Sequence, residues 1–311
     1  VMLFLLSLGV LALQVFVPYK RYAIVLKTLA LSLLAYVATG FIVGPHGAAL
    51  LQATLLPHIE LTPDFLALVV GVLGTTISPY LFFWQASEEV EEVELREQRR
   101  RKAERARQRR DLLAQIHLLR IDTALGMVSS EVATWFIIFT TGSVLHTHGI
   151  TNISTASQAA EALEPLVSSF PHAGLLAKLL FAMGIMGVGL LGVPVLAGSA
   201  AYAVAEAFHW SEGLGKTFRQ APGFYVVIGT ATLIGILLNL FGINPITALV
   251  YSAIINGIVA VPLLVLILLV ANNRSIMGEH TNGRLSNSVG ILTTAAMAAA
   301  AIALGVLFVK P

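Results

Sequence analysis

Long apolar runs, each about the length of a membrane-crossing helix, dominate the pattern of hydrophobic and polar residues in this chain. A helix needs about 20 mostly apolar residues to cross the hydrocarbon core of a bilayer. The runs lack the alternation that membrane β-strands show, and helices satisfy their own backbone in lipid. The sequence therefore predicts an all-α polytopic membrane protein, a single transmembrane domain over residues 1–311 with eight spans: 1–17, 23–44, 66–86, 121–145, 174–206, 223–241, 245–271 and 288–309.

The composition agrees with membrane insertion and argues against a soluble globular enzyme. Hydrophobic residues make up 57% of the chain, charged residues make up 12%, and the mean hydropathy is +0.83. A soluble domain has about 25% charged residues. The absence of cysteine excludes disulfides, thiolate metal sites and cysteine nucleophiles. The sequence begins at Val1 inside an apolar run without the features of a signal peptide, so we expect an N-terminally truncated chain.

Lysine and arginine fall almost entirely on one side of the predicted spans. Of the 19 basic residues, 17 lie at Lys27 or in four alternate loops: 18–22, 87–120, 207–222 and 272–287. The loops of the opposite side hold none. Cytoplasmic loops of membrane proteins carry an excess of lysine and arginine. The sequence therefore places the loop 87–120 in the cytoplasm.

Residues 88–111 form a charged segment within that loop. Five glutamates between residues 88 and 94 precede nine basic residues between residues 96 and 110. Acidic residues at the start of a helix and basic residues at its end interact favourably with the helix dipole. We interpret the segment as a solvated cytoplasmic helix that links two spans. Contact with anionic headgroups of the lipid bilayer is the alternative, and nucleic-acid binding is not expected.

The third predicted span carries helix-breaking and polar residues at mid-membrane depth. Gly74 is a poor helix former and Pro79 removes a backbone donor, while Thr75, Thr76 and Ser78 lie between them. We predict a helix that is interrupted here, with free carbonyl groups near these hydroxyls. Such backbone occurs in membranes where protein buries it or where it lines a cavity, and it binds ions in some transporters. The alternative is a proline kink in which the hydroxyls donate to carbonyls of the preceding turn.

The run from Gly74 to Glu89 resembles the sixth transmembrane helix of a bacterial branch of the Nramp divalent-metal transporters. Three later stretches resemble the family in the same order: 145–153, 192–208 and 255–262. The resemblance implies a LeuT-like inverted-repeat fold in which the eight spans are helices four to eleven. It also implies alternating-access transport of Mn²⁺, Fe²⁺ or Mg²⁺ across the bacterial plasma membrane, without a cofactor and with the ion held at the interrupted helix.

The resemblance assigns Thr75, Thr76 and Ser78 as metal ligands and Tyr80 to the pathway or a gate. Where better-known Nramps have Met-Pro-His, this sequence has Ser78, Pro79 and Tyr80. A thioether favours softer ions, whereas hydroxyl and carbonyl oxygens suit Mg²⁺ and Mn²⁺. Tyr80 does not take up a proton near neutral pH as histidine does. The departure therefore favours Mg²⁺ or Mn²⁺ and argues against proton coupling through this helix. It also leaves open a resemblance to the Nramp-related magnesium transporters.

A second departure concerns the family's first helix. Its metal-binding Asp-Pro-Gly-Asn motif is absent from this sequence, as are helices one to three. We therefore expect the missing N-terminal helices of the same protein as a partner, and a truncated, non-transporting fragment is the alternative function. A membrane-embedded hydrolase is a further alternative, but no His-Glu-x-x-His pair and no histidine within a predicted span supports it.

Three polar residues in other spans are candidates for the pathway or a gate. Glu131 lies near the middle of its predicted span, where a carboxylate is costly and is either functional or a hydrogen-bonded structural group. Asp122 lies one turn inside the cytoplasmic end of the same span, and we favour pairing with Arg120 or a gate over metal ligation. Asn256 falls on the family's tenth helix and is either an oxygen near the ion or a helix–helix hydrogen-bonding group.

Overall fold

The computed structural model describes residues 28, 31–43, 47–56, 59–100, 108–146, 149–169 and 172–309. All regular secondary structure in these residues is helical, and the all-α class predicted from the sequence is confirmed there. A 3₁₀ helix at Leu31–Leu34 precedes the α-helices, which are α1 (Ala35–Val43), α2 (Gly47–Leu55), α3 (Pro63–Thr76), α4 (Pro79–Arg100), α5 (Gln108–Val144), α6 (Ala156–Glu161), α7 (Glu164–Val167), α8 (Ala173–Ala207), α9 (Pro222–Leu240), α10 (Pro245–Asn272), α11 (Arg274–Met277) and α12 (Arg284–Val309).

Within the described part of the chain, five helical segments are long and apolar enough to cross a membrane: Pro63–Glu91, His117–Val144, Gly174–Ala207, Pro245–Asn272 and Arg284–Leu307. A further apolar helical segment, Pro222–Leu238, is shorter. The predicted span 1–17 lies outside the described residues, and 23–44 is described only in part. Of the predicted charged helix 88–111, residues 88–100 lie in α4 and residues 108–111 lie in α5, and residues 101–107 lie outside the described residues.

Two of the membrane helices begin at local sequence signals. The Thr62 side chain caps α3 by accepting a hydrogen bond from the N–H of Phe65 at 3.3 Å. The Asn244 side chain caps α10 by accepting from the N–H of Ile246 at 2.9 Å. A proline follows each capping residue, where its missing N–H costs no hydrogen bond. Both helix starts therefore follow from residues adjacent in the sequence.

The chain divides into two compact units, the first formed by residues 1–50 and 83–240 and the second by residues 51–82 and 241–311. In the first unit, a hydrophobic core lies between α8 and α9. Its most buried residues, each at most 2% exposed, include Ala201, Tyr202 and Phe224. A second core in this unit joins α1, α5, α7 and α8 around Tyr36. The Thr140 hydroxyl on α5 donates to the Tyr36 carbonyl on α1 at 3.0 Å, which links two helices far apart in sequence.

In the second unit, α3 packs against α10 and α12, with Leu66, Val70 and Leu304 buried between them. Closer to the end of α3, the backbones of α3 and α10 approach each other at two glycines. A Cβ on Gly74 would lie 2.8 Å from the Cα of Gly257, and a Cβ on Gly257 would lie 2.8 Å from Cγ1 of Val70. Small residues allow this close packing of membrane helices. The contact fixes α3 to α10 just before α3 ends.

Candidate functional site

The membrane segment that begins at Pro63 is interrupted between α3 and α4. The helix α3 ends at Thr76, and α4 begins at Pro79. Ile77 has φ −107° and ψ 78°, outside the helical region, although its N–H still reaches the Leu73 carbonyl at 2.9 Å. Proline brings no N–H to continue the ladder. The regular helix is therefore absent over two residues, Ile77 and Ser78.

Side-chain hydroxyls replace part of the missing backbone bonding at the interruption. The Ser78 hydroxyl donates to the Thr75 carbonyl at 2.8 Å and lies 3.5 Å from the Gly74 carbonyl oxygen. The Thr75 hydroxyl donates to the Val72 carbonyl at 2.8 Å. This is the bonding that the proline-kink interpretation predicts. A hydroxyl that donates its proton keeps its oxygen lone pairs, so both oxygens remain able to coordinate a cation.

The three predicted metal ligands and the pathway candidate Tyr80 differ in accessibility. Ser78 is 4% exposed, whereas Thr75 lies at the surface of the second unit and Thr76 and Tyr80 are half-buried. Within the second unit, the Thr75 side chain is therefore more accessible than that of Ser78.

The close contact between α3 and α10 brings a further polar residue near the interruption. Gly74, two residues before the end of α3, packs on the backbone of Gly257. Asn256 precedes that glycine on α10 and is half-buried. The structure therefore brings Gly74, the hydroxyl residues and Asn256 into one unit. An amide oxygen of this kind can supply a neutral ligand.

The chemistry of the donors at the interruption restricts the ions that fit it. Among the described residues, no group of three or more histidine, cysteine, aspartate or glutamate side chains is placed to hold a metal. The atoms available at residues 75–80 are hydroxyl and carbonyl oxygens. Neutral oxygen ligands suit hard cations such as Mg²⁺ and Mn²⁺ better than soft ones.

A known protein family matches almost the whole chain. The family described as "Natural resistance-associated macrophage protein-like", or Nramp, matches residues 1–307. The chain belongs to the Nramp family. The match includes the interrupted helix and the described membrane helices, and it confirms the resemblance found in the sequence.

Two bacterial relatives of this Nramp chain carry the name "Divalent metal cation transporter MntH". The protein of Aeromonas hydrophila is 23% identical over 270 residues, which cover 85% of this chain and 58% of the relative. The protein of Pectobacterium carotovorum is 25% identical over 267 residues, covering 84% of this chain and 57% of the relative. The Nramp chain therefore spans a little over half the length of these relatives.

The two acidic candidates, Glu131 and Asp122, lie in the first unit of the Nramp chain. Both side chains are exposed on α5, and Glu131 is near the middle of the apolar segment His117–Val144. Gln85 on α4 donates to the Thr123 hydroxyl at 3.2 Å, next to Asp122. The sequence suggested either a functional carboxylate or a hydrogen-bonded structural one at Glu131. Both interpretations stay predictions.

Glu91 is a structural carboxylate that sequence reasoning missed, because it was grouped with a solvated charged helix. One oxygen, Oε2, accepts from the Tyr202 hydroxyl at 2.9 Å and from the N–H of Leu214 at 3.1 Å. The other, Oε1, accepts from the N–H of Gly215 at 2.7 Å. We call these four residues the Glu91 clasp. The available signal was the Gly-Leu-Gly turn at 213–215, since successive backbone N–H groups in turns bind anions.

The α8–α9 loop, which carries Leu214 and Gly215, also contains Glu212, whose pKa depends in part on Glu91. Burial raises the pKa of Glu212, as do the carboxylates of Glu206 and Glu91, whereas Lys216 lowers it. Its Oε2 atom is buried without a hydrogen-bond partner among the described residues. The negative charge of Glu91 therefore contributes to the raised pKa of Glu212.

A cavity of about 600 Å³ in the second unit lies between α10 and α12. Its walls are mainly aliphatic, and the side chains of Asn272 and Asn287 form a reciprocal amide pair there, with N–O distances of 2.9 and 2.6 Å. None of the predicted ion ligands lines it. We therefore do not assign this cavity to the ion.

Proposed function

We propose that this protein transports divalent metal cations by alternating access and that the ion binds at the interrupted helix, residues 75–80. The observation that carries the proposal is the loss of regular helix at Ile77 and Ser78 inside an apolar membrane segment of an Nramp chain. Interrupted helices supply ion ligands in LeuT-like transporters. The ligands proposed are the oxygens of Thr75, Thr76 and Ser78, with Asn256 nearby.

The proposed topology follows from the spans and from the basic residues. We infer eight membrane helices, equivalent to helices four to eleven of a LeuT-like inverted repeat, in the bacterial plasma membrane with the loop 87–120 in the cytoplasm. The family's Asp-Pro-Gly-Asn ligands are not among residues 1–311. We therefore propose that a further polypeptide segment of the same protein completes the ion site.

The donor atoms favour Mn²⁺ and Mg²⁺ over Fe²⁺ in this proposal. Ser78 stands where a methionine stands in better-known Nramps, so the segment offers no thioether. Hydroxyl and carbonyl oxygens bind hard cations, and a thioether favours softer transition ions. Mg²⁺ also keeps several of its waters when it binds, which reduces the number of protein ligands it needs.

Replacing Ser78 by alanine tests the proposed site directly. In proteoliposomes that contain the full-length natural protein, we expect the Mn²⁺ concentration for half-maximal uptake to rise about tenfold, which corresponds to about 1.4 kcal/mol. The cause is the loss of one oxygen ligand and of the hydrogen bond that orders the Thr75 carbonyl. Radioactive or fluorescent measurement of initial uptake gives the value.

The matched control for this experiment is Thr232→Val. The Thr232 hydroxyl is 8% exposed and donates to the Ile228 carbonyl at 2.9 Å within the uninterrupted helix α9. We expect uptake by this variant to stay within about twofold of the wild type, since a hydroxyl–carbonyl bond alone contributes little in a membrane helix. Unchanged uptake by Ser78→Ala would remove this segment from the ion pathway.

Transport is expected to be independent of an inward proton gradient. Tyr80 occupies the position of the family's histidine, so this helix has no imidazole to take up a proton. Acidifying the outside of the proteoliposomes should therefore leave the initial rate of Mn²⁺ uptake unchanged. A pH-sensitive dye inside the vesicles provides the check, with metal-free buffer as the control for leakage. Internal acidification in step with metal uptake contradicts the expectation.

The alternative function is a non-transporting fragment, and one observation favours it. The chain covers 58% of the Aeromonas relative and lacks the first-helix ligands. If the DNA upstream of Val1 has a stop codon and encodes no Asp-Pro-Gly-Asn run in an apolar segment, this alternative is supported. The hydrolase hypothesis receives no support from relatives that are named as transporters.

A further inference from the structure

The helix α4 is attached to α8 at two positions along its length. At the first, Trp84 packs so closely on Gly198 that a Cβ on this glycine would overlap the indole ring, with Cε3 of Trp84 only 3.1 Å away. The Trp84 ring also meets Tyr202 edge-on, with centroids 6.0 Å apart. Seven residues later, about 10 Å along the axis at 1.5 Å per residue, the Glu91 clasp forms the second attachment.

The donors of the Glu91 clasp suit a carboxylate better than an amide. Three donors converge on its two oxygens: one hydroxyl and two consecutive backbone N–H groups. An ionised carboxylate has only acceptors and forms stronger bonds than a neutral group, whereas the amide of glutamine presents a donor on one side. A Cβ at Gly215 would lie 2.6 Å from Oε1 of Glu91, so a larger residue there would displace the carboxylate. The loop backbone is therefore shaped around this side chain.

The clasp also reaches beyond α4 and α8. Tyr202 packs edge-on against Phe224 of α9 with ring centroids 4.8 Å apart, and the Tyr225 hydroxyl donates to the carbonyl of Lys216 in the α8–α9 loop at 2.7 Å. The loop is thus held from both sides, by α4 and by α9. The Glu91 carboxylate therefore connects α4 to the contacts that join α8, α9 and the loop between them.

We propose that Glu91 is a positioning residue that makes α4, α8 and the α8–α9 loop move as one body, so that the clasp stays closed throughout the transport cycle. The proposal rests on the proposed transport function. The Glu91 carboxylate holds α4, the helix that directly follows the interruption at Ile77 and Ser78, and it does not contact the ion.

The first experiment replaces Glu91 by glutamine in the full-length natural protein. We expect the maximal rate of Mn²⁺ uptake to fall about fivefold or more, with the half-maximal concentration within about twofold of the wild type, because the ion ligands are unchanged. Tyr202→Phe should show a weaker loss of the same kind. Glu89→Gln removes a charge two residues away on α4 and should leave both values within about twofold. Wild-type kinetics for Glu91→Gln overturn the proposal.

A second experiment separates a moving clasp from a fixed one. The sequence contains no cysteine, so Glu91→Cys combined with Gly215→Cys introduces the only thiols of residues 1–311. A short bifunctional thiol reagent bridges these two positions in place of the clasp. If the clasp stays closed, bridging restores the uptake rate of the double variant to about half that of the wild type or more. If bridging abolishes the remaining uptake, the clasp must open during transport and the one-body proposal is wrong.

A third measurement does not depend on transport. Hydrogen exchange of the Leu214 and Gly215 amides should be at least about tenfold faster in Glu91→Gln than in the wild type, and unaffected in Glu89→Gln. Unchanged exchange overturns the clasp itself. If the wild type shows no metal uptake, the proposed function is wrong, and so is the transport role of Glu91. Protection of the Leu214 and Gly215 amides by Glu91 in the same protein would still support the clasp.

Discussion

Gly74→Ala is expected to prevent stable packing of α3 on α10, while Gly71→Ala, one turn earlier, is expected to be tolerated. A methyl group on Gly74 would overlap the Ala253 carbonyl and the backbone of Gly257, whose Cα is only 2.8 Å away. These are backbone atoms of a packed helix, so the whole helix must move to make room. Overpacking of this kind costs about 1–3 kcal/mol or more.

Gly71→Ala is the matched control because both glycines are buried on α3. A Cβ on Gly71 would lie 3.6 Å from Cγ1 of Ile254, an ordinary van der Waals distance. Alanine also favours the helix over glycine by about 1 kcal/mol. Thermal unfolding in detergent, followed by size-exclusion chromatography, should show a large loss of monodisperse protein for Gly74→Ala only. Equal unfolding temperatures for the two variants contradict the close contact.

Gly198→Ala is expected to destabilise the first unit by about 1–3 kcal/mol, because the new methyl group must displace the Trp84 indole. The ring atoms Cε3 and Cη2 would lie 3.1 and 3.3 Å from the added Cβ, and the indole is too rigid to bend away. Moving the ring also weakens its edge contact with Tyr202. A smaller ring should relieve the overlap, so Trp84→Phe is expected to be less harmful in the Gly198→Ala background than alone.

The control for Gly198→Ala lies on the same helix. Gly189 has no neighbouring atom within 4 Å of an added Cβ and is exposed. We expect Gly189→Ala to unfold at or slightly above the wild-type temperature. A double-mutant cycle with Trp84 and Gly198, measured by thermal unfolding, isolates the energy of their contact. Independent effects of the two substitutions would show that the indole does not occupy the position seen here.

Much of the local architecture follows directly from the sequence. Apolar runs predict helices in lipid because each helix pairs its own backbone groups. The described residues are helical across the expected spans 174–206 and 245–271 and, apart from Ile77 and Ser78, across 66–86. The interruption was also predicted from neighbouring residues, the combination of Gly74 and Pro79, whereas α8 and α10 continue through Pro194 and Pro262. The sequence also carried the family resemblance that the comparison bears out.

The details of the ion site required the tertiary structure. The sequence predicted free carbonyl groups around Ser78 and, as the alternative, hydroxyls bonded back to carbonyls. Which arrangement forms depends on the backbone angles at Ile77, and the Ser78 hydroxyl is found on the Thr75 carbonyl. The accessibility of each oxygen also depends on neighbouring helices, and so Thr75 is exposed while Ser78 is buried. The choice of Thr75, Thr76 and Ser78 as ligands stays a prediction.

The sequence by itself determined that this chain is helical, apolar enough for a membrane, and interrupted near Pro79, because these properties depend on residues close together in the chain. Only the tertiary structure decided that Glu91 is bonded rather than solvated, that Glu131 is exposed, and that Gly74 and Gly257 meet. Glu91 and Gly215 are 124 positions apart. No local pattern specifies such a pair, because the contact exists only after the helices have packed.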